Sequence, residues 1–281
     1  MVAVALGIGT ALCWGLADFL GGIRTRRLTL ATVLIVSQLT GLAAIALVVA
    51  VGGVEVPSLG DIAPALGAGV CQIAGIAALY RALAVGTMSV ISPISASGAA
   101  IIPVIVGVTI GERPESLQIV GMGAAFAGVI LATRSPEPAQ GGAGSRHALG
   151  LAAIAALGIG GFYVGMDAAV DEANPLWALL AARASAGALL VAVLVSVRPR
   201  LVADRTLLPS LAAIGLLDVA ANACFTLGTE TGLLSVVSVL ASLYPVATVV
   251  LARALLRERL VAVQGAGVAV ALAGVAMISA G

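Results

Sequence analysis

The sequence contains no lysine, only one histidine and few charged side chains of any kind. All 14 basic residues of the 281-residue chain are arginines, and charged residues make up 10% of it. Without lysine, Schiff-base chemistry and lysine-based phosphate loops are excluded. His147 alone cannot form a histidine zinc pair or activate a serine inside an apolar stretch. We therefore predict no enzyme activity, no metal site and no cofactor.

Cysteine and aromatic residues are also scarce. Cys13, Cys71 and Cys224 lie far apart in apolar stretches, which fits neither a disulfide framework nor a metal site. Aromatic residues make up 3% of the chain, which argues against a large multidrug cage. The net charge of +1 predicts no nucleic-acid partner. The motif Gly-x4-Gly-Lys-Ser/Thr does not occur, so we expect any transport to be driven by gradients.

Apolar residues are abundant: 61% of the chain is hydrophobic, with a mean hydropathy of +1.17. Soluble domains are about half apolar and about a quarter charged, so this composition fits a chain solvated by a lipid bilayer. Helices satisfy their own backbone groups in lipid. We predict an all-α membrane protein with ten transmembrane helices. The predicted spans are 2–23, 28–51, 61–80, 87–110, 115–133, 147–169, 175–197, 207–229, 232–252 and 260–280.

An internal repeat divides the chain. A shift of 146 residues gives 13 identities in the 44 positions 86–129, including Glu112 with Glu258 and Gln118 with Gln264. We predict a first repeat at 1–133, a linker at 134–146 and a second repeat at 147–281. Each repeat holds five spans, and an odd number reverses the second relative to the first. The prediction is a pair of inverted five-helix repeats, typical of secondary transporters.

The arginines predict the orientation. Twelve of the 14 fall on the side opposite the termini, and positive loops stay in the cytoplasm. We therefore expect a multi-pass protein of the cell membrane with both termini outside, as a monomer or a homodimer.

Several short motifs resemble the EamA family of the drug/metabolite transporter superfamily. They are Trp14-Gly15, Gly111-Glu112-Arg113 with Gln118 and Gly121, Arg257-Glu258-Arg259 with Gln264 and Gly267, and Pro245. The resemblance implies ten spans and proton- or gradient-driven export or exchange of amino acids, other metabolites or drugs. Two features depart from the family: Asp18 stands where small or hydroxyl residues are usual, and several relatives keep both termini in the cytoplasm.

Four ionisable residues fall inside predicted spans, where charges normally face a bundle interior or a wet cavity. They are Asp18, Asp167, Arg183 and Asp218. Arg183 suits a substrate carboxylate or phosphate; the alternatives are a structural pair with an aspartate, or snorkelling to the interface. Asp218 shares a helix face with Asn222 and Thr226, which predicts either a wet surface or an interhelical hydrogen bond.

Further polar residues extend the predicted site. Gln72 corresponds to Asp218 at the 146-residue offset and shares a helix face with Tyr80. Ser92 and Ser238 supply small polar surfaces that also suit helix packing.

The pairs Trp14 with Asp18 and Tyr163 with Asp167 each place an aromatic one turn before an acid. They predict two rims of one pathway, or interfacial anchors. Since a carboxyl group in a cavity can carry a proton, Asp218 and Asp167 are candidates for proton coupling.

Two further features have a simpler interpretation. We expect Glu112 and Glu258 to pair locally with Arg113 and Arg259, and the spacing Gly107-x-x-x-Gly111 to mark helix packing.

Three acids and one arginine predict a zwitterionic substrate such as an amino acid. The alternative substrate is a cationic drug or metabolite, bound by the acids with Trp14, Tyr80 and Tyr163. A channel or a lipid scramblase is the alternative to a carrier.

Overall fold

The apolar runs form helices throughout the part of the chain that the structure describes. The computed structural model describes residues 1–24, 28–85, 88–133, 143–201, 204–255 and 261–281. The helices are α1 (Val2–Arg24), α2 (Leu30–Gly52), α3 (Ala63–Val85), α4 (Met88–Thr109), α5 (Ser116–Ala132), α6 (Ala143–Glu172), α7 (Pro175–Val197), α8 (Leu208–Thr231), α9 (Leu234–Ala241), α10 (Tyr244–Leu255) and α11 (Ala262–Ala280). A 3₁₀ turn, Arg205–Leu207, precedes α8.

The helices account for all ten predicted spans. Six of the described segments are long and apolar enough, by length and composition, to cross a membrane. Four shorter apolar segments, 63–79, 94–109, 116–132 and 234–248, correspond to the other four predicted spans. The all-helical membrane class expected from composition is therefore confirmed.

The ninth predicted span is not one continuous helix. It divides into α9 and α10 at Ser242 and Leu243, where Leu243 bonds back only three residues, to the Leu240 carbonyl at 3.1 Å. Pro245 has no N–H to give to the carbonyl of Ala241, so one bond of the helical ladder is missing at this point. The predicted span over 232–252 thus consists of two helical parts. By contrast, α4 continues through Pro103 as a single helix.

Helices of the first half pack mainly against helices of the second half. Within the described residues, α1 lies along α8, α3 along α6, and α5 along α11, while α2 and α3 both contact α7. The two halves make equivalent contacts. The third helix of the first half, α3, packs on α6 and α7. The third helix of the second half, α8, packs in the same way on α1 and α2. The core therefore forms between the halves.

Glycines bring α5 and α11 unusually close together. A Cβ atom on Gly128 would lie 2.4 Å from the Ala271 backbone nitrogen, and one on Gly267 would lie 2.2 Å from the Ala132 nitrogen. Gly121 meets the Gly274 carbonyl in the same way. Glycines matched between the repeats thus lie at one helix contact, where small residues allow close backbone approach.

Replacing Gly128 with alanine is expected to lower the free energy of unfolding by about 1–3 kcal/mol, because the methyl group must push α5 off the α11 backbone. Gly123→Ala is the control, since a Cβ there meets nothing within 4 Å. Thermal unfolding in detergent compares the two. Equal stability of both variants would contradict the close α5–α11 contact.

Candidate functional site

A buried ion pair joins α7 and α8 in the interior of the bundle. Arg183 is 3% exposed, and its guanidinium donates to one carboxylate oxygen of Asp218 and, at 2.6 Å, to the Gln38 side-chain oxygen. Isolated buried charges are costly, so pairing is what allows this arginine to lie here. The arrangement is the structural pair with an intramembrane aspartate that the sequence left as one alternative.

Trp14 ties the first helix to the same carboxylate. Its indole N–H donates to the second oxygen of Asp218 at 2.9 Å. Gly15 allows the close approach, since a Cβ there would lie 2.6 Å from the Ala247 side chain, and Thr248 donates to the Gly15 carbonyl at 3.1 Å. The Trp-Gly motif thus holds α1 against both α8 and α10.

Beside the ion pair, five aromatic rings form a cluster. Tyr163 and Phe225 stack with centroids 4.7 Å apart, and Trp14 stacks on Tyr163 at 5.8 Å. Phe162 packs on these rings, and Tyr244 meets Trp14 edge-on at 6.3 Å. Most of the chain's few aromatics are therefore concentrated at one place, on α1, α6, α8 and α10.

Asp18 is a second acid close to Trp14 on α1. It is exposed although it lies inside an apolar helix, one turn beyond Trp14. Within the described residues it makes no ion pair, in contrast to Asp218, which pairs with Arg183.

Asp167 lies on the other side of the aromatic cluster. It is within hydrogen-bonding reach of Thr229 near the end of α8, and Asp171 and Glu112 are its acidic neighbours. The two acids that follow an aromatic by one turn thus point in opposite directions along the bundle. Their aromatics, Trp14 and Tyr163, stack on each other between them.

The other predicted residues occupy varied positions. Gln72, Asn222 and Ser238 are buried, and no described residue donates to Asn222 Oδ1 or pairs with the Ser238 hydroxyl. Gln38 on α2, rather than Gln72, completes the arginine network. The side chains of Tyr80 and Ser92, and all of Glu258, lie outside the described residues.

Sequence reasoning missed Gln38 and three members of the aromatic cluster, Phe162, Phe225 and Tyr244. Phe162 adjoins Tyr163, and Phe225 lies two turns after Asp218, so their spacing offered a signal. Gln38 offered none, because only the packing of α2 on α7 and α8 places it beside Arg183.

Taken together, the fold is that of a multi-pass helical membrane protein with a charged and aromatic centre between its halves. The chain belongs to the EamA-like transporter family, whose model matches residues 1–134 and again residues 147–280. It is therefore a transporter-like membrane protein carrying two EamA segments, as the resemblance implied. A family of transporters fits the expectation that the chain is not an enzyme.

The fold also occurs among solved structures. One crystal structure of a protein aligns with 98% of this chain and 95% of its own, at a TM-score of 0.80 and 16% identity. At that identity the likeness concerns the fold alone. No curated protein matches the sequence.

Replacing Asp218 with asparagine is expected to destabilise the protein by about 3–5 kcal/mol, because Arg183 is then left buried without its counter-charge. Arg183→Met should cost less, since the Asp218 side chain is 26% exposed and can be hydrated. The double variant should recover part of the loss. Unfolding in detergent measures the stability of the two single variants and of the double variant. If the two single losses of stability simply add in the double variant, Arg183 and Asp218 do not interact directly.

Proposed function

We propose that the protein is a secondary-active carrier built from two inverted five-helix repeats. The observation that carries the proposal is the network of Trp14, Asp218, Arg183 and Gln38, which links α1 and α2 to α7 and α8. Intramembrane charges mark solute pathways, and inverted-repeat carriers place their site between the repeats. The matched helix contacts of the two halves support the same arrangement.

The substrate that we propose is a small solute with an ammonium group. Arg183 is held by Asp218 and Gln38, whereas Asp18, one turn beyond Trp14, makes no ion pair within the described residues. Aromatic rings such as Trp14 attract cations through their faces. A zwitterionic amino acid and a cationic metabolite both carry this group; the absence of an ion pair at Asp18 among the described residues favours the cation.

The proposal includes export from the cell across its membrane, with both termini outside. Twelve arginines on the side opposite the termini support that orientation. Movement of solute in exchange for protons would supply the energy, with Asp167 and Asp218 as the candidate carriers of the proton.

Asp18→Asn is expected to reduce uptake of radiolabelled amines into proteoliposomes at least about tenfold, because it removes the uncompensated charge facing the ammonium group. Amino acids and organic cations are compared in one panel. Glu55→Gln, on an exposed loop, is the control. Saturable flux with counterflow supports a carrier, whereas non-saturating flux or lipid movement would identify a channel or a scramblase. Unchanged amine uptake in Asp18→Asn would contradict the substrate proposal.

Replacing both Asp167 and Asp218 with asparagine is expected to abolish uptake driven by a pH gradient while solute exchange continues in the fraction of protein that stays folded, because exchange needs no net proton movement. The control is Glu172→Gln, which removes an exposed acid near the end of α6. Flux into proteoliposomes is measured with and without the gradient. If the double variant still follows the pH gradient, proton coupling through these residues is refuted.

A further inference from the structure

The carboxylate of Glu112 caps a helix of the other half of the chain. Its two oxygens accept hydrogen bonds from the backbone N–H groups of Leu234, at 2.5 Å, and Ser235, at 3.1 Å. These are the first residues of α9, whose own N-cap, Leu233, makes no side-chain cap. The expected local pairing of Glu112 with Arg113 is therefore wrong: the acid reaches across to the second half.

The end of α4 is shaped to hold this carboxylate. Gly111 has φ +105°, a conformation that L side chains rarely adopt, and the Glu112 N–H donates to the Gly107 carbonyl at 2.8 Å. A Cβ atom on Gly107 would lie 2.2 Å from the Glu112 carboxylate. We expected the spacing Gly107-x-x-x-Gly111 to mark helix packing. Instead, the two glycines leave the space that the Glu112 carboxylate occupies.

The capped end is also the closed end of the bundle. Gly232, at the α8–α9 connection, packs so tightly on α1 that a Cβ would lie 2.4 Å from the Ala3 side chain. Tyr163 and Phe225 of the aromatic cluster are fully buried. At the opposite side of these rings Asp18 is exposed. Within the described residues, the bundle is therefore closely packed at the end where α9 begins.

We propose that Glu112 is the latch of this terminal end: its cap on α9 holds the pathway closed, and α9 leaves it when that end opens. This inference rests on the proposed carrier function. Two features of α9 support it. The helix is only eight residues long, and the interruption at Ser242 and Leu243 separates it from α10, so it can tilt without bending a continuous ladder. A carboxylate at a helix N-terminus makes charge-assisted bonds, which gives the closed state a specific stabilisation.

The test is the accessibility of a buried reporter beneath the cap. Val237 is fully buried on α9, and Val237→Cys in a chain whose three cysteines are replaced by alanine provides a single thiol. Labelling of the purified protein by a polar maleimide is measured. Glu112→Ala is expected to raise the labelling rate about tenfold, because both cap bonds are lost. Glu112→Gln should lie between, since its amide has one accepting oxygen.

A second variant moves the carboxylate without removing it. Gly107→Ala is expected to reproduce the labelling of Glu112→Ala, because the methyl group occupies the place of the carboxylate. Gly67→Ala, where a Cβ meets nothing within 4 Å, and Glu172→Gln are the matched controls and should label at the original rate.

A reporter at Leu211→Cys, buried near the start of α8, separates opening at the cap from general loosening. The latch predicts faster labelling at residue 237 with an unchanged rate at residue 211. Equal increases at both positions, or no increase at residue 237, would overturn it. Because labelling needs no solute, a failure of the transport assay leaves this readout intact, and an unchanged labelling rate with normal transport refutes the latch alone.

Discussion

The ion pair of Arg183 and Asp218 is the interaction on which the centre of the molecule depends. A guanidinium that is 3% exposed can remain among apolar helices only with its charge balanced. Asp218 supplies that balance, and Gln38 accepts one further hydrogen bond from the guanidinium. Since Trp14 also binds Asp218, one carboxylate connects helices of both halves and positions the aromatic cluster beside it.

This pairing sets the two acids near the aromatic cluster apart. Asp218 is neutralised by Arg183, whereas Asp18 makes no ion pair within the described residues. The packing of α7 on α8 decides which charges neutralise each other, and a count of charged residues does not contain that information.

The two halves depend on each other through close contacts and through one crossing carboxylate. Glycines at α5 and α11 remove the side chains that would separate the backbones, and the Glu112 cap supplies partners for α9 that its own sequence lacks. Neither half could pair the Glu112 carboxylate or the first N–H groups of α9 alone, because the partner of each lies in the other half. The interruption between α9 and α10 also lies inside the bundle, since Ser242 and Leu243 are buried there.

The sequence by itself determined the membrane class, the ten apolar segments and the repeat, because hydropathy and periodicity act through local composition. Only the tertiary structure decided that Arg183 pairs with Asp218 and Gln38 and that Glu112 crosses to α9. These outcomes depend on which helix faces meet. Each contact joins residues of different helices, so it leaves no mark on the spacing within either segment.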